Sequence, residues 1–589
     1  MTDQTHHDTG RIALGGSTGL AVGRLATGLV QGVALYLLYL AADGRVWPAT
    51  QPALFGALAL ATGYGPVVVL AAAGGIKPAA VILWTILAAL VLALMGAHDV
   101  ARQTMDSSRQ PPFLAFPILA FGAAALFIAH HLIVPAIRER RWVVDYSEYF
   151  DIAWKAGVQL ALSVGFTGAF WLLLHLGAAL FKMIGLSFLQ TMLGEAWFSI
   201  PVTALTFATA VQLTDVRDGL IRGVRTVALM LLSWLLLVIT VLVAGFLAAL
   251  PFTGLDGLWE TRSATALVLS AAAALIVLIN TAYQDGRPDN LPPAALRHGV
   301  RAASVLIAPL VVLAVWGLAL RIGQHGLTPD RIIAAACALV GAVYGAGYLF
   351  AAFRPGGWMR PLERTNVIAA VLSVLVILAL FSPLADPARL SVSDQIARLE
   401  RGAVSARNFD YDFLRFKSGK AGAAALDRLT RSADPETARL ARAAKTRTYP
   451  SGTTAAERDA WIAGIRIRPA SGQTVPADFM AQLERQDDLL HVCTQETPCL
   501  SRRIDLNGDG RQDLLVAGSR FITAYGLDDA GQWRRLARYT IPCDTAEDAL
   551  DAELAKGAVA APSALPDLIV GGRKLQAQPE TDCNAGRRG

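Results

Sequence analysis

The chain has 589 residues, of which 17% are charged, and a mean hydropathy of +0.45. Ordinary soluble domains carry about a quarter charged residues, so the composition excludes a wholly soluble globular protein. The basic pI of about 9.1 does not point to nucleic acid. The extra Lys and Arg sit in short gaps between apolar runs, where membrane topology accounts for them. No stretch interleaves basic and aromatic residues as a strand-binding groove would.

Residues 1–19 form a polar N-terminal tail, in which His6 and His7 read as a solvated pair rather than a metal site. The first apolar run is too long for a cleaved signal peptide and is expected to serve as an uncleaved anchor. About 20 apolar residues of helix cross the hydrocarbon core. Residues 20–385 contain eleven such runs: 20–42, 52–74, 78–96, 112–135, 154–181, 196–213, 224–250, 262–283, 300–321, 331–353 and 366–384. The second and third, on either side of Gly74 and Gly75, are the least sharply separated. The N-terminus and the gaps after even-numbered runs hold about twice as many Lys and Arg as the gaps after odd-numbered runs. The positive-inside rule therefore expects a cytoplasmic N-terminus, and an odd number of spans puts the C-terminal part outside a bacterial inner membrane.

Ionisable groups inside a bilayer are expensive and are read as functional candidates. No Asp or Glu falls near the middle of a run, which argues against a pump built on a buried carboxylate. His175, in WLLLHLGAAL, is the deepest candidate, and an interhelical hydrogen bond is its simplest role. His130 and His131 lie about a turn from the end of the fourth run and are expected at the interface. A denser polar set gathers at the ends of runs five to eight: Glu148, Asp151 and Lys155; Asp215, Arg217, Asp218 and Arg222; Asn280, Tyr283 and Asp285. It is either a functional site or a solvated rim that pairs with itself and with lipid headgroups. There is no H-E-x-x-H, G-x-S-x-G or Walker pattern. Glycines 341–347, in GAVYGAG, suit close helix packing.

Beyond the bundle the chain reads as an extracytoplasmic α+β domain. Residues 386–450 are helical: Ser393 can cap DQIARLERG, and Asp434-Pro435 opens ETARLARAAK. Residues 451–589 contain strands. Cys493, Cys499, Cys543 and Cys583 all fall here, and an even set outside the cytoplasm reads as two disulfides. In SRRIDLNGDGRQDLLVAGSRFITAY (501–525), Asp505, Asn507, Asp509 and Asp513 occupy positions 1, 3, 5 and 9 of a calcium loop. Gly510 stands at the sharp turn, and Arg511 offers its backbone carbonyl. Val516 stands where an EF-hand needs Glu, and strand-like sequence follows. The segment therefore resembles the Ca²⁺ loop of an FG-GAP or integrin-type β-hairpin. A plain hairpin turn is the alternative.

Several long blocks resemble the bacterial membrane proteins grouped as domain of unknown function 4153. They are WFSIPVTALTFATAVQLTDVRDGLIRGVRT (197–226), FLAALPFTGLDGLWET (246–261), LIVLINTAYQDG (275–286), FSPLADPARLSVSDQIARLERG (381–402) and FDYDFLRFKSGKAGAAALDRL (409–429). The resemblance spans about Phe127 to Leu429 and implies a polytopic fold with no assigned activity. The fold class is thus an all-α transmembrane bundle of about eleven helices plus an external α+β domain. Its leading function is a membrane scaffold or sensor that contacts the lipid bilayer and binds an envelope partner through a calcium-stapled domain. A transporter of a lipid-like or uncoupled substrate comes second, and an enzyme with an unrecognised site third.

Overall fold

The computed structural model describes residues 6–104, 114–216, 218–254, 264–287, 291–354, 358–447, 466–470, 472–482, 493, 498–506, 508–518, 521–528, 531–540, 554, 568–570 and 573–575. The chain divides into two compact units. The first comprises Met1–Arg398 with Lys417–Ala425, the second Leu399–Phe416 with Leu426–Gly589.

The first unit is helical: α1 His6–Asp43, α2 Pro52–Ala72, α3 Pro78–Ala101, α4 Phe116–Glu139, α5 Tyr146–Met183, the short α6 Phe188–Gly194, α7 Ala196–Val216, α8 Asp218–Thr253, α9 Ala264–Tyr283, α10 Ala294–His325, α11 Pro329–Phe353, α12 Pro361–Leu380 and α13 Pro387–Glu400. Among the described residues, eleven helices are long and apolar enough to cross a membrane. They match the eleven runs one for one, and α2 and α3 are separate spans. Proline opens α2, α3, α11 and α12 at the first turn, where its missing N–H costs no hydrogen bond. Thr328 adds a side-chain cap to α11, accepting from Arg331 N at 3.3 Å. Several helices outrun their apolar cores: α5 has 38 residues and α10 has 32. Their extra turns bring polar residues onto the ends of the spans.

Small residues set the closest crossings. A Cβ on Gly56 would meet Gly96 O at 2.5 Å, so α2 and α3 touch backbone to backbone. Gly341 and Gly345 of α11 lie against Val311 and Ala308 of α10, which is the packing expected of GAVYGAG. The largest apolar core joins α8 to α11 through Leu236, Leu275, Ile279, Ile307, Leu310 and Tyr348. Outward faces remain apolar. On α3, Leu83, Ile86, Leu90 and Leu94 are each at least half exposed, a surface that suits lipid and not water.

Helix α13 corrects one expectation. It begins at Pro387 and not after Ser393, which lies inside it. Asp386 Oδ1 accepts from Ala388 N at 2.9 Å, so Asp386-Pro387 uses the same cap-plus-proline device as Asp434-Pro435. The α13 side chains then cap the loop before α11. Asp394 accepts from Leu327 N at 2.7 Å, and Arg398 donates to the carbonyls of Gly323 and Gln324.

The second unit holds α15 Pro435–Thr446, following α14 Gly419–Leu429, and α16 Ala477–Ala481. Asp434 caps α15 as expected, accepting from Thr437 N at 3.0 Å and from Thr437 Oγ1. These bonds hold its carboxyl below the usual carboxylate range. Among the described residues, β1 Ile467–Pro469, β2 Cys499–Ile504, β3 Asp513–Ala517, β4 Phe521–Leu527 and β5 Trp533–Thr540 form one sheet in that spatial order. The β1–β2 pair is parallel and the others are antiparallel. Strand β3 reads DLLVA and is buried throughout, because both of its faces are covered. Leu514 and Val516 pack with Phe479, Tyr525 and Trp533, while Leu515 and Ala517 pack with Ala524 and Leu554. A Cys493–Cys499 disulfide sits in the first of these cores. Cys543 and Cys583, expected as a second pair, lie outside the described residues.

Candidate functional site

The polar set predicted at the helix ends separates into distinct clusters. Asp215 meets Arg24 at 2.8 Å and Lys155 at 4.0 Å. Arg24, one and a half turns into the first span, is only 3% exposed and also donates to Gln212 at 2.9 Å and to Ala73 O at 3.0 Å. Sequence reasoning passed over Arg24, although a lone Arg inside an apolar run is itself a signal. Arg225 pairs with Asp151 and lies over the Phe150 ring at 5.6 Å. Asp285 pairs with Arg287. Arg217 lies outside the described residues, as do the side chains of Asp218 and Arg222.

Asn280 belongs to a ring of hydrogen bonds that joins four helices. Its carbonyl accepts from Tyr146 at 2.9 Å and from Asn366 at 2.7 Å. Its amide donates to Tyr348 at 2.8 Å and to Ile276 O at 2.8 Å. Tyr348, fully buried, closes the circuit on Asn366 at 2.6 Å. One turn on, Tyr283 donates to Glu363 at 2.9 Å. Asn280 and Tyr348 spend their amide and hydroxyl groups inside this ring, so it locks α5, α9, α11 and α12 together and presents little to a ligand. His175 is brought to none of these clusters: it is exposed, with the Trp171 ring 5.9 Å away.

A separate cavity of about 850 Å³ lies between α1, α2, α4, α5 and α7. That is within the range of small-molecule sites. Among the described residues, no Asp, Glu, Lys or Arg lines it. Most of its polar wall is satisfied by protein. Gln31 donates to Gly63 O at 2.8 Å, Tyr64 to Leu119 O at 2.9 Å, Gln159 to Val211 O at 3.1 Å and Trp171 to Thr203 at 3.1 Å. Leu160, Val164 and other apolar side chains make up much of the remaining wall, a surface that suits an apolar occupant.

His130 and His131 are in this wall, 6% and 8% exposed. Helix α4 continues past both rings through Pro135 to Glu139. Their ring centres stand 5.2 Å apart, so neighbouring positions on one helix still share one cavity. His130 Nδ1 accepts from Trp84 Nε1 at 3.2 Å, and His131 Nδ1 is 2.7 Å from Phe127 O.

In the sheet unit, the β2–β3 hairpin carries the acidic loop. Asp505 accepts from Gly508 N at 2.7 Å and from Gly510 N at 3.0 Å. Asp509 accepts from Arg511 N at 2.7 Å, and Asp513 from Leu506 N at 3.0 Å. Gly508 and Gly510 have φ of +73° and +80°, which side chains resist. Burial, followed by the neighbouring Asp509 and Asp505 charges, pushes the Asp513 carboxyl above its ordinary range against the opposing pull of the Leu506 bond. Among the described residues, no three His, Cys, Asp or Glu side chains converge on one metal position. Asn507 lies outside the described residues. Holding an ion requires Asp505, Asp509 and Asp513 to turn toward one another.

Eleven apolar helices with lipid-suited outer faces and a small sheet unit define a multi-pass membrane protein. The family described as Domain of unknown function (DUF4153) matches residues 55–429, and the chain belongs to that family. The match ends where the resembling blocks end and begins earlier, inside α2. Neither the curated proteins nor the solved structures yield a match.

Proposed function

We propose that the bundle binds a lipid-like molecule between α1, α2, α4, α5 and α7. The supporting observation is the uncharged cavity of about 850 Å³ with leucine, valine and aromatic side chains in its wall. Such a cavity gains by covering apolar surface and offers no charge to a polar solute. This reading raises the carrier or receptor of an apolar molecule above the scaffold favoured by sequence alone. The N-terminus is cytoplasmic and the sheet unit external in this proposal, on the balance of Lys and Arg between the loops. The test is native mass spectrometry of the full-length protein released from membranes. A lipid-sized adduct that survives detergent exchange is expected. Saturable binding of no apolar probe to delipidated protein would overturn the reading.

A second reading concerns the external loop, where three carboxylates crowd together and Asp513 shares in their repulsion. We propose that Ca²⁺ relieves that repulsion and stiffens the β2–β3 turn. Each carboxylate oxygen that accepts one backbone bond retains a lone pair for a cation. Hydrogen exchange of the 505–515 segment in the intact protein should slow in millimolar calcium relative to chelator. Asp509→Ala should abolish the difference, and equal exchange in wild type under both conditions would reduce the loop to a turn.

A further inference from the structure

We infer that the cavity selects an amphipathic molecule whose polar end is a hydroxyl group, recognised by His130 and His131. This rests on the proposal that the cavity takes a lipid-like ligand and adds the chemistry of its head. The argument starts from the partners that the two rings already have. An indole N–H can only donate, so His130 Nδ1, which receives the Trp84 bond at 3.2 Å, must be an acceptor. His130 is therefore a neutral imidazole with its proton on Nε2. A backbone carbonyl can only accept, so His131 Nδ1, 2.7 Å from Phe127 O, must carry the proton. In neutral His131 the lone pair then lies on Nε2. Two adjacent histidines are thus held in opposite tautomers by partners of opposite kind.

The free nitrogens belong to rings that line the cavity. Among the described residues neither Nε2 has a hydrogen-bond partner, and neither is sealed among the buried atoms that lack one. Both rings are more than nine-tenths buried, so the space open to them is the cavity that they line. Its wall presents one N–H donor and one nitrogen acceptor on rings 5.2 Å apart. An oxygen that both accepts and donates is the single group whose chemistry suits both nitrogens. An alcohol does this. An ether only accepts, a carboxylate only accepts, and an ammonium only donates. Each of these leaves one buried nitrogen unpaired, which sites of this kind penalise. The remaining wall suits the hydrocarbon part of a long-chain alcohol.

The test measures binding of tritiated 1-hexadecanol to delipidated full-length protein, with competition by 1-hexadecanol, 1-methoxyhexadecane and hexadecane. The alcohol should compete at least tenfold more strongly than the methyl ether and the alkane. His131→Phe removes the acceptor that tells an alcohol from an ether and should bring the alcohol-to-ether ratio close to one while tail binding persists, whereas His130→Phe removes the donor that both share and should bring the ether-to-alkane ratio close to one. Equal competition by all three in wild type would overturn hydroxyl recognition and leave the lipid cavity standing. Saturable binding of none of them would overturn both. Because the wild-type ratio is read without any variant, a variant that fails to fold does not shelter the proposal.

Discussion

The bundle holds two buried polar groups of opposite character. The ring of Tyr146, Asn280, Tyr348 and Asn366 turns its hydrogen-bonding groups on itself. The pair His130 and His131 uses one nitrogen of each ring to fix its tautomer and keeps the other open. Both cost desolvation, and only the first recovers that cost within the protein. Burial of a polar residue in a membrane helix therefore does not by itself mark function. The mark is a group left unsatisfied beside a space that could satisfy it.

The comparison breaks most visibly if the ring is opened. Asn280→Leu removes an acceptor for Tyr146 and Asn366 and a donor to Tyr348, which leaves several groups short of partners. Thermal unfolding of the purified protein should show a loss of about 2–4 kcal/mol. Hexadecanol affinity of the folded fraction should not change. A stable protein with weakened binding would reverse the roles assigned to the two groups.

Filling the cavity should do the opposite. A Cβ on Gly168 meets nothing within 4 Å, and Gly168 lines the cavity. Gly168→Leu should lower apolar-probe affinity tenfold or more. The thermal midpoint should hold or rise slightly, since replacing a helical glycine gains up to about 1 kcal/mol. Lost stability with full binding would place the cavity among packing defects.

Arg24→Leu tests a third kind of buried group, a charge with its partners around it. Asp215 is 30% exposed and keeps Lys155, so a loss of about 1–2 kcal/mol is expected, below that of Asn280→Leu. Arg24→Lys should recover only part of it, because one ammonium cannot reach Asp215, Gln212 and the Ala73 carbonyl as the guanidinium fork does.

The smallest effect belongs to the cap of α15. The Asp434 carboxyl is lowered in the folded protein, so its contribution is present above its unfolded value and lost as pH falls through the lowered one. Asp434→Ala should therefore speed local hydrogen exchange of α15 at pH 7. The gap from wild type should close in strong acid, and Asp434→Asn should retain most of the protection.

Membrane helices are legible from sequence because the bilayer demands about 20 apolar residues whatever the neighbours do. All eleven spans, the β2–β3 hairpin and the Asp434 cap follow from local rules of this kind. The Asp386-Pro387 start of α13 was equally local and was missed only because Ser393 offered a competing cap. Cys493 was expected in a disulfide, but spacing could not choose its partner. The ring around Asn280 joins positions up to 220 residues apart, from Tyr146 to Asn366. Arg24 finds Asp215 on another helix, and the histidine pair depends on Trp84 from α3. Such placements depend on which helix faces are brought together. That is decided by the summed packing of many side chains, so only the tertiary structure separates a closed polar lock from an open polar wall.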